Sequence, residues 1–397
     1  MGSLGALEQP PTLNLLPRCC NAACQEPRSP PISPPNSPPA HTTPHHPSTC
    51  RPQNFLALIP LALFLGEVTE DLAVRFGDTI GGLLNATFGN VVELFLSIAA
   101  LHKGLYEVVA ASLLGSILSN LLLVLGTCFL FGGMKYKEQR FSTLANKMAS
   151  SLLFLACIGI MIPSTARVFR AVPSHPPTAP VTLCARLSSH LPARSYLCYL
   201  FFQLGTHHDL FAVGASASVP ALSLAGAMAC LTLITVIVAA CSDFLTGAIV
   251  EVSAVSGINQ AFLGLIVLPI AGNVAEHVTA VFVAVRNKMD LSIAVALGSS
   301  TQVAIFIVPV TVLVGWAIGE KFTLDFDTFA VLMLTVAVIL AYFVCSDGAS
   351  NWLLGLQLVA TYCLIGAVFL LEREPAPTPS GGDSGKQPYA PLLQGLL

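Results

Sequence analysis

The chain is short of charge. Only 10% of its 397 residues are Asp, Glu, Lys or Arg, while 54% are hydrophobic and the mean hydropathy is +0.75. Soluble domains carry about 25% charged residues, so the composition argues against a soluble enzyme. A net charge of −3 leaves no basic surplus, and no nucleic-acid partner is expected. The twelve cysteines form no CxxC pair and no Cys/His cluster with zinc-like spacing. Scattered through apolar runs and the N-terminal stretch, they read as small buried hydrophobes. Residues 1–54 lack the continuous apolar run of a signal peptide. Thirteen prolines lie between Pro10 and Pro52 among Ser, Thr and His, a composition that cannot bury a core and predicts a disordered tail.

What the chain has in abundance is long hydrophobic runs. A membrane span needs about 20 such residues. Runs at 55–76, 80–101, 107–133, 146–163, 221–246, 260–285, 290–318, 328–346 and 351–371 qualify, with a shorter tenth at 195–206. Residues 164–194 carry four arginines with prolines between them and read as an irregular stretch. The boundaries that follow are a tail at 1–54, a first unit at 55–206, a connecting loop at 207–220, a second unit at 221–371 and a disordered tail at 372–397.

The chain partly matches itself at an offset of 183 positions. Gly89-Asn90 falls on Gly272-Asn273, Glu93 on Glu276, Lys103 on Arg286, Gly115-Ser116 on Gly298-Ser299 and Gly132 on Gly315. Duplicated halves mark secondary transporters, with a site near the midplane where the repeats meet. Five spans per half make ten in all if 195–206 is counted, and an odd number per half inverts the second copy. The expected fold is therefore all-α, in the membrane, with about ten helices in two inverted five-helix repeats.

Each repeat places Gly-Asn-x-x-Glu inside an apolar run, with the three side groups on one helical face. A glutamate deep in a span costs several kcal/mol if charged and unpaired, which makes Glu93 and Glu276 functional candidates by default. Asn90 and Asn273 add neutral oxygens, and Gly89 and Gly272 permit close backbone approach. Ser116 and Asn120 on one following helix, and Ser299, Ser300 and Gln302 on the other, are placed to complete an oxygen-rich set. Hard oxygen ligands suit Ca²⁺, which takes about 6–8 of them; Mn²⁺ and Na⁺ remain open. Two carboxylates with Ca²⁺ are neutral, and so are two protonated carboxyls, so either form can cross while the empty dianion cannot. His277 beside Glu276 reads equally as a proton relay or as a neighbour's hydrogen-bond partner. Paired acids also serve intramembrane proteases, but that chemistry uses aspartates. The chain is not expected to be an enzyme or to need a cofactor.

At these residues the sequence resembles the calcium/proton exchangers of the calcium/cation antiporter superfamily, the fungal and plant vacuolar type above all. The resemblance is carried by GDTIGGLLNATFGNVVELFLSIAALHKG (77–104), ASLLGSILSNLLLVLGTCFLFGG (111–133) and FLGLIVLPIAGNVAEHVTAVFVAVRNKMDLSIAVALGSSTQVAIFIVPVTVLVGW (262–316). It implies ten core helices in two inverted repeats, Ca²⁺ and H⁺ as exchanged substrates, and Glu93 and Glu276 as their shared ligands. It implies a vacuolar or similar acidic-organelle membrane, and it sets Glu70 near the cytosolic mouth. No apolar run precedes Phe55, so the extra N-terminal helix usual in the family is not expected here. Between Ile162 and Tyr199 the family has a hydrophobic helix where this chain is broken by prolines and arginines, and the acidic segment that usually follows is replaced by AVGASASVPAL. A degenerate, non-transporting membrane protein is the remaining alternative.

Overall fold

The computed structural model describes residues 51–170, 198, 201, 206, 221–320, 322 and 326–372. The expected tails at 1–50 and 373–397, the loop at 207–220, residues 171–194 and most of 195–206 lie outside the described residues. The elements are α1 (Arg51–Phe88), α2 (Val91–His102), α3 (Tyr106–Lys135), β1 (Gln139–Arg140), α4 (Thr143–Arg170) and α5 (Leu224–Ser256). Then come α6 (Gln260–Gly272), α7 (Val274–Val285), α8 (Met289–Ala317), α9 (Thr328–Ser346), β2 (Ala349–Ser350) and α10 (Trp352–Leu371). The two-residue strands pair antiparallel, Gln139 opposite Ser350, and are the only departure from helix and loop among the described residues.

Among the described residues, six helices are long and apolar enough to cross a membrane: α3, the Asn146–Thr165 part of α4, α5, α8, α9 and α10. The pair α6/α7, bent by 57°, makes a seventh if taken as one span. This is a helical, multi-pass membrane architecture. Its bounds differ from the hydropathy reading in three places. The runs at 55–76 and 80–101 are not separate helices: α1 stays helical through 77–79, takes in residues 51–54, and breaks only at Gly89-Asn90. A lone glycine costs a helix about 1 kcal/mol against Ala without ending it, and no proline lies between Pro60 and Pro163. Residues 164–170, expected to be irregular, continue α4 past Pro163; the Ser164 and Thr165 hydroxyls hold the Ile160 and Met161 carbonyls of the preceding turn. Finally, α5 runs ten residues beyond 246 and stops where Gly257 takes φ +69° and donates to the Ser253 carbonyl.

The repeat is visible in the element bounds. Shifted by 183, Val91–His102 falls on Val274–Val285, and the starts of α3 and α8 coincide. Both α3 and α8 contain a π-helical turn, Ser119–Val124 and Val303–Ile307. The two copies point to opposite ends: α2 finishes beside the start of α3, whereas the last carbonyl of α7, on Val285, accepts from Lys135 at the end of α3.

Two apolar cores hold the helices. One is built from α3, α4, α8, α9 and α10. The other joins α1 to α5. Both α2 and α6 are shared: Val91, Val92 and Leu96 enter the second core while Ala100 and Leu101 enter the first, and Leu263 and Leu268 likewise face away from Leu265 and Ile266. The most apolar stretch of α3 is 89% buried and that of α5 only 28%. Thus α3 is enclosed by protein, while α5 turns Leu233, Val236, Phe244 and Val255 outward. Such a face needs lipid around it.

Candidate functional site

The two shared helices α2 and α6 meet α3 and α8 at the Gly-Asn breaks. Asn90 and Asn273 are the N-cap residues of α2 and α7, yet neither side chain caps its own helix. Ordinarily an N-cap Asn accepts from the N2 or N3 amide. Here both side chains reach across to the other repeat. Asn90 donates to Gln302 Oε1 at 2.7 Å and accepts from Ser299 Oγ at 3.1 Å. Asn273 accepts from Ser116 Oγ at 3.0 Å and donates to the Ser116 carbonyl at 3.2 Å. Shifting both partners by 183 turns the Asn90–Ser299 bond into the Asn273–Ser116 bond, the mark of a local two-fold relation. Asn120 joins the set by donating to Ser299 Oγ at 3.0 Å.

Glu93 and Glu276 stand in the first turn of their helices. The positive end of the helix dipole favours a carboxylate there. Neither oxygen of buried Glu93, nor Oε2 of Glu276, has a hydrogen-bond partner among the described residues. A Cβ on Gly272 would lie 3.1 Å from Glu93 Oε1, so the glycine of one repeat seats the acid of the other. Beside Glu93 is a cavity of about 10 Å³ reaching Ser112, Ser116 and Gly272. Room of that order is about that of one water molecule.

The remaining candidates separate. Ser300 donates to the Ala296 carbonyl of its own helix. Gly89 lies in the turn between α1 and α2. Glu70 is exposed on α1, next to Asp71, which accepts from the Ala221 amide and pairs with Arg75. His277 contacts a residue that its spacing did not point to: His277 Nε2 and Thr127 Oγ1 are 3.1 Å apart. The single hydroxyl hydrogen of Thr127 is directed at the Leu123 and Val124 carbonyls, 2.8 and 2.9 Å away. With that hydrogen so placed, Thr127 accepts from His277 Nε2. No group of three or more His, Cys, Asp or Glu side chains converges among the described residues. The site thus combines two carboxylates with neutral amide and hydroxyl oxygens.

A profile described as sodium/calcium exchanger protein matches residues 54–205 and 226–371. The chain is 41% identical over 338 residues to a Ca(2+)/H(+) antiporter of Synechocystis sp., covering 80% of this chain and 89% of that protein. It is 39% identical over 321 residues to a vacuolar calcium ion transporter of Schizosaccharomyces pombe, covering 80% and 77%. Its fold superposes on the solved structure of native YfkE with TM-score 0.69 and 35% identity, covering 81% of this chain and 92% of that one.

Proposed function

This chain belongs to the sodium/calcium exchanger protein family, among its calcium/proton antiporters, and from that premise we propose that it moves Ca²⁺ across an acidic-organelle membrane in exchange for protons. The single observation carrying the site is the crossed pair of bonds, Asn90 to Ser299 and Asn273 to Ser116, which brackets two acids with unpaired buried oxygens. A buried carboxylate without a partner is costly. Two of them in one site demand either a divalent cation or two protons, and each choice leaves the pair neutral. Competition for the same oxygens then makes transport an exchange.

On this reading the architecture is the ten-helix pair of inverted repeats, with Glu93 and Glu276 at their junction. Asn90, Asn273, Ser116, Ser299, Asn120 and Gln302 hold the two broken helices together across the repeats. The α1–α5 core moves against the larger core, and α2 and α6, packed on both, expose the acids to one side and then the other. Cytosolic Ca²⁺ enters the organelle and lumenal protons return; the Schizosaccharomyces pombe relative is named a vacuolar calcium ion transporter.

The test is Ca²⁺ uptake into sealed proteoliposomes under an imposed pH gradient, for the parent chain, Glu93→Gln and Glu276→Gln. Uptake should collapse with the gradient and fall to the leak in either variant. Absence of uptake by folded parent protein overturns transport; full uptake by either variant overturns the site.

A further inference from the structure

We propose that the groove between the end of α3 and the start of α10 binds an anionic phospholipid, holding its phosphate at Lys137 and laying an acyl chain along α10. The groove has a volume of about 480 Å³ and is lined by Gly133, Met134, Lys137 and Trp352. It exists because the helices touch backbone to backbone just below it. A Cβ on Gly133 would overlap the Trp352 amide, and one on Gly355 would overlap the Leu130 amide. Where the glycines end, the helices part.

Three observations select the occupant. The first is an uncommitted cation. Lys135 donates to the Val285 carbonyl and lies over the Tyr136 ring, Arg140 pairs with Glu138, and Arg286 stacks on Phe282. Lys137, at the groove itself, has no hydrogen bond or ion pair among the described residues. The second is the rim. Met134 is 71% and Trp352 50% exposed, and exposed Leu353 and Leu356 continue down α10. A tryptophan with a lysine above it and leucines below marks the depth of the headgroup layer. The third is the side of the membrane. Lys135, Lys137, Arg140, Arg286 and Lys288 share this end of the molecule, since the α3–α4 and α7–α8 connections bond to each other through Gln139, Ala284 and Asn287. A basic end faces the cytosol, whose leaflet carries the anionic lipids. The inference does not depend on which ion is transported.

The molecule contains its own probe, having two tryptophans. Trp352 borders the groove, and Trp316 sits at the opposite end of α8, bonded to the Phe322 carbonyl. The full chain is placed in phosphatidylcholine nanodiscs holding a fixed fraction of brominated phosphatidylserine or brominated phosphatidylcholine, and tryptophan quenching is measured. Brominated phosphatidylserine should be enriched about fivefold at Trp352 over the zwitterionic lipid, the ratio one lysine supports near a membrane surface. Lys137→Gln should erase the excess without shifting thermal unfolding. Trp352→Phe, which leaves Trp316, should show equal quenching by both lipids. Equal quenching in the parent, or an excess that survives Lys137→Gln, overturns the site. Displacement of the quencher by glycerol phosphate would assign the groove to soluble phosphates and overturn the lipid.

Discussion

Gly272 and Gly115 both lie where helices cross, but what each one faces is different. An added methyl at Gly272 meets the movable tip of Glu93, whereas one at Gly115 overlaps the backbone carbonyl of Leu265. Gly272→Ala should therefore fold, because the helix gains propensity while Glu93 shifts by a few tenths of an ångström. Its Ca²⁺ affinity should weaken about tenfold, the lower end for disturbing a ligand's support, as read from the Ca²⁺ dependence of uptake. Gly115→Ala should lose folded protein in detergent, because backbone cannot retreat as a side chain can. At Thr127 the removable group is the acceptor for His277. Thr127→Val should slow uptake by about fivefold, the weight of one hydrogen bond of ~1 kcal/mol, and shift its pH profile. Thr127→Ser should restore both. The acids and asparagines of the proposed site stood out in the sequence because polar groups are conspicuous in apolar runs and recur at one offset. Thr127 did not: a hydroxyl in an apolar helix is ordinary, and its counterpart in the second repeat is Val310.

Between elements, one ion pair links parts with different packing partners. Lys103, just past α2, meets the Asp243 carboxylate of α5 at 2.7 Å and Thr246 Oγ1 at 3.0 Å. The pair is partly exposed and adds only ~0–1 kcal/mol to stability, yet it ties the α1–α5 core to the loop leading into α3. Lys103→Met, Asp243→Asn and the double variant should unfold within a few degrees of the parent. Lys103→Met and the double variant should change Ca²⁺ turnover by one common factor, and Asp243→Asn by less, since Lys103 keeps its bonds to Thr246 and to the Asp243 carbonyl there; stopped-flow uptake measures it. The composition showed that these elements are helices and where most of them lie. Their breaks were hidden, because hydropathy averaged over 80–101 cannot register one non-helical turn at Gly89-Asn90. Nor does any residue pattern announce the π-helical turns at Ser119–Val124 and Val303–Ile307. The end of α5 was readable in hindsight, as Gly257 is a common stop signal.

At the scale of the whole molecule, the two ends differ in chemistry. The end with Lys135 and Arg286 also carries Lys137, Arg140 and Lys288, with Glu138 and Asp290 among them; the opposite end carries Lys103, Arg167 and Arg170, and gathers Glu320, Asp327 and Glu372 around the ends of α8 and α10 and the start of α9. Burial, and then the nearby charge of Asp327, hold the Glu372 carboxyl above its ordinary value of 4.5. The folded chain thus keeps that proton to higher pH than the unfolded chain does, and this group makes the fold less stable as pH climbs from the ordinary value through the raised one. In the proposed orientation this end faces the acidic lumen, where the penalty is smallest. Glu372→Gln should raise the Tm slightly near neutrality, because the group is exposed and screened, and the gain should vanish in acid well below the ordinary glutamate value. A thermal melt across pH checks both limbs.

The bonds Asn90–Ser299 and Asn273–Ser116 run between the halves of the chain, never within one. A single half carries one asparagine and one serine of the set, each bonded here to the other half. An ancestor of half this length, before duplication, would have assembled such a site only by lying against a copy of itself turned the other way up, which requires one polypeptide to insert in both orientations. Fusion then let each half keep one orientation, so that both crossed bonds form within a single chain.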